Sequence, residues 1–333
     1  MLLCAMSYNL LEFSRGGGCG CKIDPIKLHA ILSDHKSNDV QSLLVDFIDK
    51  DDAAIIEINK DTCLIQTVDF FLPLVNNAYD FGRIAAANAL SDVYAMGGKP
   101  IMALSMLGWP QEVLPLELAK EVLKGAESIC KEAGISISGG HSIETKEPLF
   151  GLSVSGIIEK QNIKRKNTCQ LGDYLYVTKP LGLGLLSNAI KHNLLSEEGY
   201  LILIETACRL NTIGIELGRN SSVNAMTDVT GFGLLGHLTE MLGGKFGADL
   251  KLESIPVIEE ARSLAEKMIY PNITTSNYNY VKEHCDGLNG LEFLWLCDPQ
   301  TSGGLLVCSS EALELEPLFL IGRVVAGNRI NLS

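Results

Sequence analysis

Cys19 and Lys22 stand together in the segment Gly16-Gly17-Gly18-Cys19-Gly20-Cys21-Lys22, where glycines make the backbone pliable and open to close approach. A thiol in such a setting can meet a small reactant as a nucleophile, and the neighbouring ammonium can handle negative charge. Cys21 competes with Cys19 for the thiol's role. Further along, the chain sets out Asp51, Asp52, Asp69, Asp92 and Asp228. Carboxylate oxygens favour hard Mg²⁺, which contacts phosphates as well and keeps several waters. Converging carboxylates repel one another unless cations neutralise them, and cations so held stabilise charge that develops in phosphoryl transfer. Any one of these aspartates alone also reads as a turn or surface residue, so the set carries the argument. His141 either contacts substrate or closes a polar turn. His237 falls in a helical pattern and reads as structural, and Trp109 and Trp295 read as core or cleft wall. The Cys19/Cys21 spacing, C-x-C without a second pair, does not suit structural zinc.

Residues 53–58 and 64–68 read as strands, the second ending at Asp69. A short amphipathic helix is expected over 25–32. Residues 80–96 have helical spacing with an interruption near Ser91-Asp92, and Gly97-Gly98 supplies the stop. A strand over 102–107, a helix over 116–133 and a strand over 135–137 follow. The strand opens into a glycine-rich turn, Ser138-Gly139-Gly140-His141-Ser142, able to present backbone amides to an anion. Residues 149–158 read as a strand, and the polar run 161–170 as a domain boundary. In the second half, 171–178 reads as a strand, 181–184 as a turn into a helix, and 201–213 as a helix. The run 225–233 brings Asp228 and Thr230 before a helix at 234–238, which either residue could cap. The expected organisation is a glycine-rich arm and lead-in helix over 1–50, one α/β domain over 51–160 and another over 171–333.

Composition sets bounds on function. The 333 residues are 47% hydrophobic and 20% charged, enough to fill a large core. A formal net charge of −13 disfavours an extended nucleic-acid surface. The cluster Lys164-Arg165-Lys166 reads as a solvated loop. No run reaches the ~18 apolar residues of a membrane span, and the apolar residues 1–6 lack the basic flank of a secretory signal. Ten cysteines are dispersed rather than patterned, and Cys63, Cys130, Cys169, Cys208 and Cys308 read as isolated core thiols. A reducing cytoplasm is the expected compartment. No G-x-x-x-x-G-K-[ST] loop is present, which disfavours a P-loop nucleotide site.

The ordered motifs resemble those of the selenophosphate synthetase (selenide, water dikinase) family over nearly the whole chain. They are Gly18-Cys19-Gly20-Cys21-Lys22, Asp51-Asp52-Ala53-Ala54, Thr67-Val68-Asp69-Phe70-Phe71, Phe81-Gly82-Arg83-Ile84, Ser91-Asp92-Val93-Tyr94-Ala95-Met96-Gly97-Gly98, Gly139-Gly140-His141-Ser142, Thr227-Asp228-Val229-Thr230-Gly231-Phe232-Gly233 and Cys297-Asp298-Pro299-Gln300-Thr301-Ser302-Gly303-Gly304. The resemblance implies ATP-dependent conversion of selenide to selenophosphate with release of AMP and orthophosphate. It implies an α/β (α+β) two-domain fold like aminoimidazole ribonucleotide synthetase, a homodimer whose amino-terminal halves build a central β-barrel, and a carboxy-terminal α/β half. By the same likeness Cys19 and Lys22 are catalytic, and Asp52, Asp69, Asp92 and Asp228 bind Mg²⁺. Lys22, Asp69, Asp92, Gly139 and Gly140 belong to the ATP-binding set. Selenide and ATP are then the small-molecule substrates, with room for a selenium-delivery protein and none for nucleic acid or membrane. The chain departs from relatives that carry Gly-Gly-Thr-x-x-Asn after a proline: here the run is Pro271-Asn272-Ile273-Thr274-Thr275-Ser276-Asn277. Two other classes fit the residues less well, a different ATP-using enzyme of the same fold and a redox or metal-binding scaffold.

Overall fold

A computed structural model describes residues 8–14, 16–18, 31, 41–46, 50–288 and 290–333. Cys19, Cys21, Lys22 and the helix expected over 25–32 lie outside the described residues.

The first half builds a sheet from β1 (Leu43–Val45), β2 (Ala54–Glu57), β3 (Thr62–Phe71), β4 (Lys99–Trp109), β5 (Ile137–Glu144) and β6 (Leu149–Glu159). Their order is β1-β2-β3-β6-β4-β5, antiparallel except for the parallel β4–β5 edge. Two helices, α1 (Ala78–Ala95) and α2 (Leu116–Glu132), belong to this half. On β3 the alternation buries Cys63, Ile65, Thr67 and Phe71 and exposes Val68 and Phe70, so one face packs inward and the other does not. The amphipathic α2 buries Val122, Ala126 and Ile129 and lies on α1.

Helix α1 is apolar nearly all round, as a helix enclosed on every side must be. Asn77 caps it, accepting a hydrogen bond from the Asp80 backbone N–H at 3.0 Å. The Gly82 Cα meets the backbone of α2 so closely that a Cβ there would fall 1.9 Å from the Val122 carbonyl oxygen.

The second half contributes a mixed sheet of β7 (Tyr174–Val177), β8 (Val223–Asp228), β9 (Gly247–Leu250), β10 (Cys285–Asp286), β11 (Leu305–Ser309), β12 (Phe319–Val325) and β13 (Ile330–Leu332), ordered β10-β13-β9-β12-β7-β11-β8. Its helices are α3 (Leu183–Lys191), α4 (Glu197–Cys208), α5 (Ile213–Arg219), α6 (Gly233–Leu242), α7 (Glu259–Glu266), α8 (Ile273–Val281) and α9 (Phe293–Leu296). Helix α1 also touches α4, α5 and β8, so the element that holds Asp92 is packed by both halves.

Several sequence expectations change. Asp69 lies within β3 rather than at its end. Helix α1 runs through Ser91-Asp92 without a break, because tertiary partners satisfy both side chains. Gly139, Gly140 and His141 are part of strand β5, not a turn. The helix expected over 201–213 is two, α4 and α5, separated at residues 209–212. Lys164-Arg165-Lys166 is no solvated loop. Lys164 and Lys166 are buried, Lys164 Nζ donates to the Asn220 and Val223 carbonyls at 2.9 and 2.8 Å, and Lys166 Nζ pairs with Glu240 at 3.0 Å. Backbone carbonyls and a carboxylate take the place of water for these ammoniums. Cys63, Cys130, Cys169, Cys208 and Cys308 are free and buried as expected, together with Cys285 and Cys297.

Candidate active site

Strand alternation places Thr67 and Asp69 on the same face of β3. Opposite them, α1 presents Asn88 and Asp92, four residues apart and therefore on one helix face. The end of β8 delivers Thr227 and Asp228, and Asp51-Asp52 arrive just before β2. Side-chain hydrogen bonds then fix the carboxylates. The Thr67 hydroxyl donates to Asp92 Oδ2 at 2.5 Å, the Thr227 hydroxyl donates to Asp52 Oδ1 at 2.7 Å, and the Asn88 amide donates to Asp69 Oδ2. Asp51 Oδ1 accepts the Lys166 backbone N–H at 2.8 Å.

Electrostatics show that the four aspartates form one cluster. Loss of hydration and then repulsion from Asp228 push the Asp52 carboxyl up to about 8, against the opposing pull of Lys166 and Thr227. Asp92 is held well above the usual carboxylate range by desolvation, then by Asp228, Asp69 and Asp52. Both side chains keep partial exposure, so the cluster borders solvent even though its oxygens are poorly hydrated. Burial works against the charge of Lys166, but Glu240 and Asp52 together keep its ammonium above the ordinary lysine range. A buried cation thus stands behind the carboxylates and offsets part of their repulsion.

Asp52 Oδ2 is buried without a hydrogen-bond partner among the described residues. An orphaned anionic oxygen beside two further carboxylates is a cost to the fold that a bound cation would remove. Among the described residues no three His, Cys, Asp or Glu side chains make a ready ion cage.

The remaining expected residues are distributed differently. Gly139 and Gly140 lie on β5, three strand spacings or ~14 Å from β3, so this chain alone does not bring them beside Asp69. Both are exposed, and a Cβ on Gly140 would meet the Ser105 carbonyl oxygen at 2.1 Å. His141 is exposed on the same strand. His237 is structural: Nε2 accepts the Thr230 backbone N–H at 3.1 Å and the ring stacks on Phe232. Neither Asp228 nor Thr230 caps α6, which starts from Phe232 without a side-chain cap bond. Gly18, the described residue directly before Cys19, donates its N–H to the Leu72 carbonyl at 2.9 Å, just beyond Asp69 on the chain.

Sequence reasoning missed the groups that hold the carboxylates: Thr67, Asn88, Lys166 and Thr227. A signal existed for two of them, since Thr67 is two residues before Asp69 in a strand and Asn88 four before Asp92 in a helix. The departure at 271–277 has a clear outcome. This run forms the start of α8, and buried Asn277 donates to the Gly231 and Cys297 carbonyls, each at 2.9 Å. It therefore pins together the turn after Asp228 and the turn before Asp298. A cavity of about 600 Å³ walled by Arg209, Asn211, Glu216 and Arg219 has none of the four clustered aspartates on its wall.

Two family models match the chain, AIR synthase related protein, N-terminal domain, over residues 50–158, and AIR synthase related protein, C-terminal domain, over 170–333. The curated proteins called selenide, water dikinase from Shewanella sp. (strain W3-18-1) and Shewanella baltica (strain OS185) are each 47% identical over 317 residues, covering 95% of this chain and 90% of the relative. Among solved structures, AaThiL complexed with AMPPCP and TMP superposes with a TM-score of 0.68 at 21% identity, covering 92% of each chain. Hydrogenase maturation protein HypE in complex with ATP gives 0.59 at 18% identity, covering 95% of this chain and 89% of that one. These two likenesses establish the fold.

Proposed function

This chain belongs to the selenide, water dikinase family, and from that premise we propose which of its residues carry the family's reaction. The activity is ATP-dependent synthesis of selenophosphate from selenide and water, with release of AMP and orthophosphate. The observation that carries the residue assignment is the convergence of Asp52, Asp69, Asp92 and Asp228, with one Asp52 oxygen buried and without a partner among the described residues. These carboxylates would hold Mg²⁺, which neutralises the phosphate chain and stabilises charge developing on it.

The chain's own groups do the positioning. Thr67, Thr227 and Asn88 keep three carboxylates in fixed orientations before substrate arrives, so little reorganisation is left for the reaction. Asp69 and Asp92, with Lys22, Gly139 and Gly140, are assigned to ATP; Lys22 meets the negative charge of the phosphates. Cys19 supplies the sulfur that meets selenium. Selenide takes the terminal phosphoryl group, forming the phosphorus–selenium bond as the bond to the departing diphosphate breaks. Water then cleaves the remaining diphosphate to AMP and orthophosphate, which completes the balance.

A second copy of the chain is the assigned partner. The outer face of the first sheet exposes Val68, Phe70, Met102, Leu104, Ile143 and Ile157, a contiguous apolar surface of the kind that marks an interface. Pairing of two such faces is the route to the barrel that the family likeness implies. No helix among the described residues is long and apolar enough to cross a membrane, and the seven cysteines among the described residues, all free and buried, accord with a reducing cytoplasm.

Anaerobic phosphorus NMR with ATP, Mg²⁺ and selenide tests the assignment. The expected result is a selenide-dependent phosphorus–selenium signal with AMP and orthophosphate, lost in Lys22→Ala. ADP without that signal would overturn it.

A further inference from the structure

We propose that the cavity at the start of β8, walled by Lys160, Lys164 and Arg165, is a second anion site. It takes a phosphate-class dianion, either the free ion or the phosphate of a nucleoside monophosphate. None of the four clustered aspartates lines it, so the inference stands apart from the metal assignment.

The cavity has a volume of about 380 Å³, and Thr168, Gln170 and Asn224 add polar groups to its wall. Small-molecule sites run from ~300 to ~1,000 Å³, so there is room for more than a bare ion. No Asp or Glu is among the described residues that line it, although the whole chain carries a formal net charge of −13. A basic concavity focuses field lines and concentrates anions that the rest of an acidic surface repels. Ammonium and guanidinium groups side by side are the usual recognition set for phosphate oxygens.

Lys164 gives the cavity its demand for an anion. It is 8% exposed, and its Nζ donates to the Asn220 and Val223 carbonyls at 2.9 and 2.8 Å. An ammonium has three donors, so one is left over. Carbonyls satisfy hydrogen bonds but bring no counter-charge. Loss of hydration holds the Lys164 ammonium below the ordinary lysine range, and no carboxylate among the described residues offsets it. Lys166, two residues on, is buried as well, yet Glu240 pairs with it at 3.0 Å and keeps it above that range. The same segment thus matches one buried lysine with an anion and leaves the other without. A buried cation lacking a counter-ion is a cost to the fold that an oxyanion in the cavity would remove.

The other cations are anchored on the wall. Arg165 Nη2 donates to the Leu44 carbonyl, and Lys160 pairs with Glu57. The Thr168 hydroxyl donates to the Arg165 and Asn224 carbonyls at 2.9 and 2.7 Å, which fixes the loop against β8. The segment also reaches toward the chemistry through its backbone. The Lys164 N–H donates to the Met96 carbonyl at the end of α1, and the Met226 N–H of β8 donates to the Arg165 carbonyl. The family's reaction releases two phosphate dianions, orthophosphate and AMP, so the ligand class is at hand wherever the enzyme turns over.

Calorimetric titration of the full chain with orthophosphate and with AMP tests the site. EDTA is present, so that no divalent cation bridges phosphate to the aspartates. The parent should bind one equivalent. Lys164→Met should weaken binding about ten- to a hundredfold, as loss of a charged hydrogen bond does. Gln170→Glu, which adds a carboxylate at an exposed point of the wall, should weaken it at least about threefold. Should Lys164→Met fail to fold, Gln170→Glu decides by the same criterion. Tighter binding of AMP than of orthophosphate assigns the site to a phosphate monoester and the reverse to the free ion; either supports the proposal. It is overturned if the parent binds neither at millimolar concentration, if neither substitution changes the affinity, or if adenosine binds as tightly as AMP.

Discussion

Asp52 shows the tension between folding and chemistry at the scale of one side chain. One of its oxygens takes the Thr227 hydroxyl, the other is buried without a partner among the described residues, and Asp228 adds repulsion. Asp52→Asn keeps an oxygen for Thr227 and removes the charge. In the absence of divalent cations its melting temperature should rise by a few degrees, because a penalty on the folded state is gone. Selenide-dependent release of AMP should fall at least about a hundredfold, the usual trade between stability and a site held ready for function. A variant that melts lower and still turns over at the parent rate would contradict this account. The carboxylates were legible in the sequence because acidic residues beside apolar runs need a reason to be there. Thr227 is not, and Thr67 and Asn88 carry only the spacing that sets them on the face of Asp69 and Asp92, since the work of all three depends on which strand or helix faces them. The basic triplet looks solvated in the sequence, whereas backbone carbonyls enclose Lys164 and Glu240 pairs with Lys166.

At the scale of elements, α1 positions Asn88 and Asp92, and its place depends on two glycines. Beyond Gly82, a Cβ on Gly125 of α2 would fall 2.0 Å from the Tyr79 carbonyl oxygen. Gly125→Leu must push the helices apart, at a cost of ~1–3 kcal/mol or more for overpacking. Its midpoint in urea should drop markedly, and the KM for ATP should rise as α1 shifts; an unchanged midpoint would mean the contact is looser than described. Periodicity alone located β2, α2 and β6 closely, because each is long or cleanly alternating. It failed where tertiary contacts override local preference. Ser91-Asp92 looks like a helix break until Thr67 and Asn211 are seen to satisfy it. Gly139-Gly140 looks like a turn, yet at Gly140 the missing Cβ lets β5 approach β4.

For the whole molecule, the two halves meet where the chemistry is assigned: β3 and α1 bring Asp69 and Asp92, β8 brings Asp228, and the 298–304 turn closes against Asn88. The opposite face of the first sheet is left apolar, with Val68 54% and Phe70 52% exposed. If two copies join there, Val68→Glu with Phe70→Glu should convert the dimer to a monomer in sedimentation velocity. A parent that sediments as a monomer at micromolar concentration would refute the pairing. The metal and nucleotide assignment has a more direct test still. Crystals grown with Mn²⁺ and the β,γ-methylene analogue of ATP would show the metal by anomalous scattering. The account predicts manganese within bonding distance of the Asp52, Asp69, Asp92 and Asp228 cluster, with phosphate oxygens completing its shell; manganese bound elsewhere, with those carboxylates untouched, would contradict it.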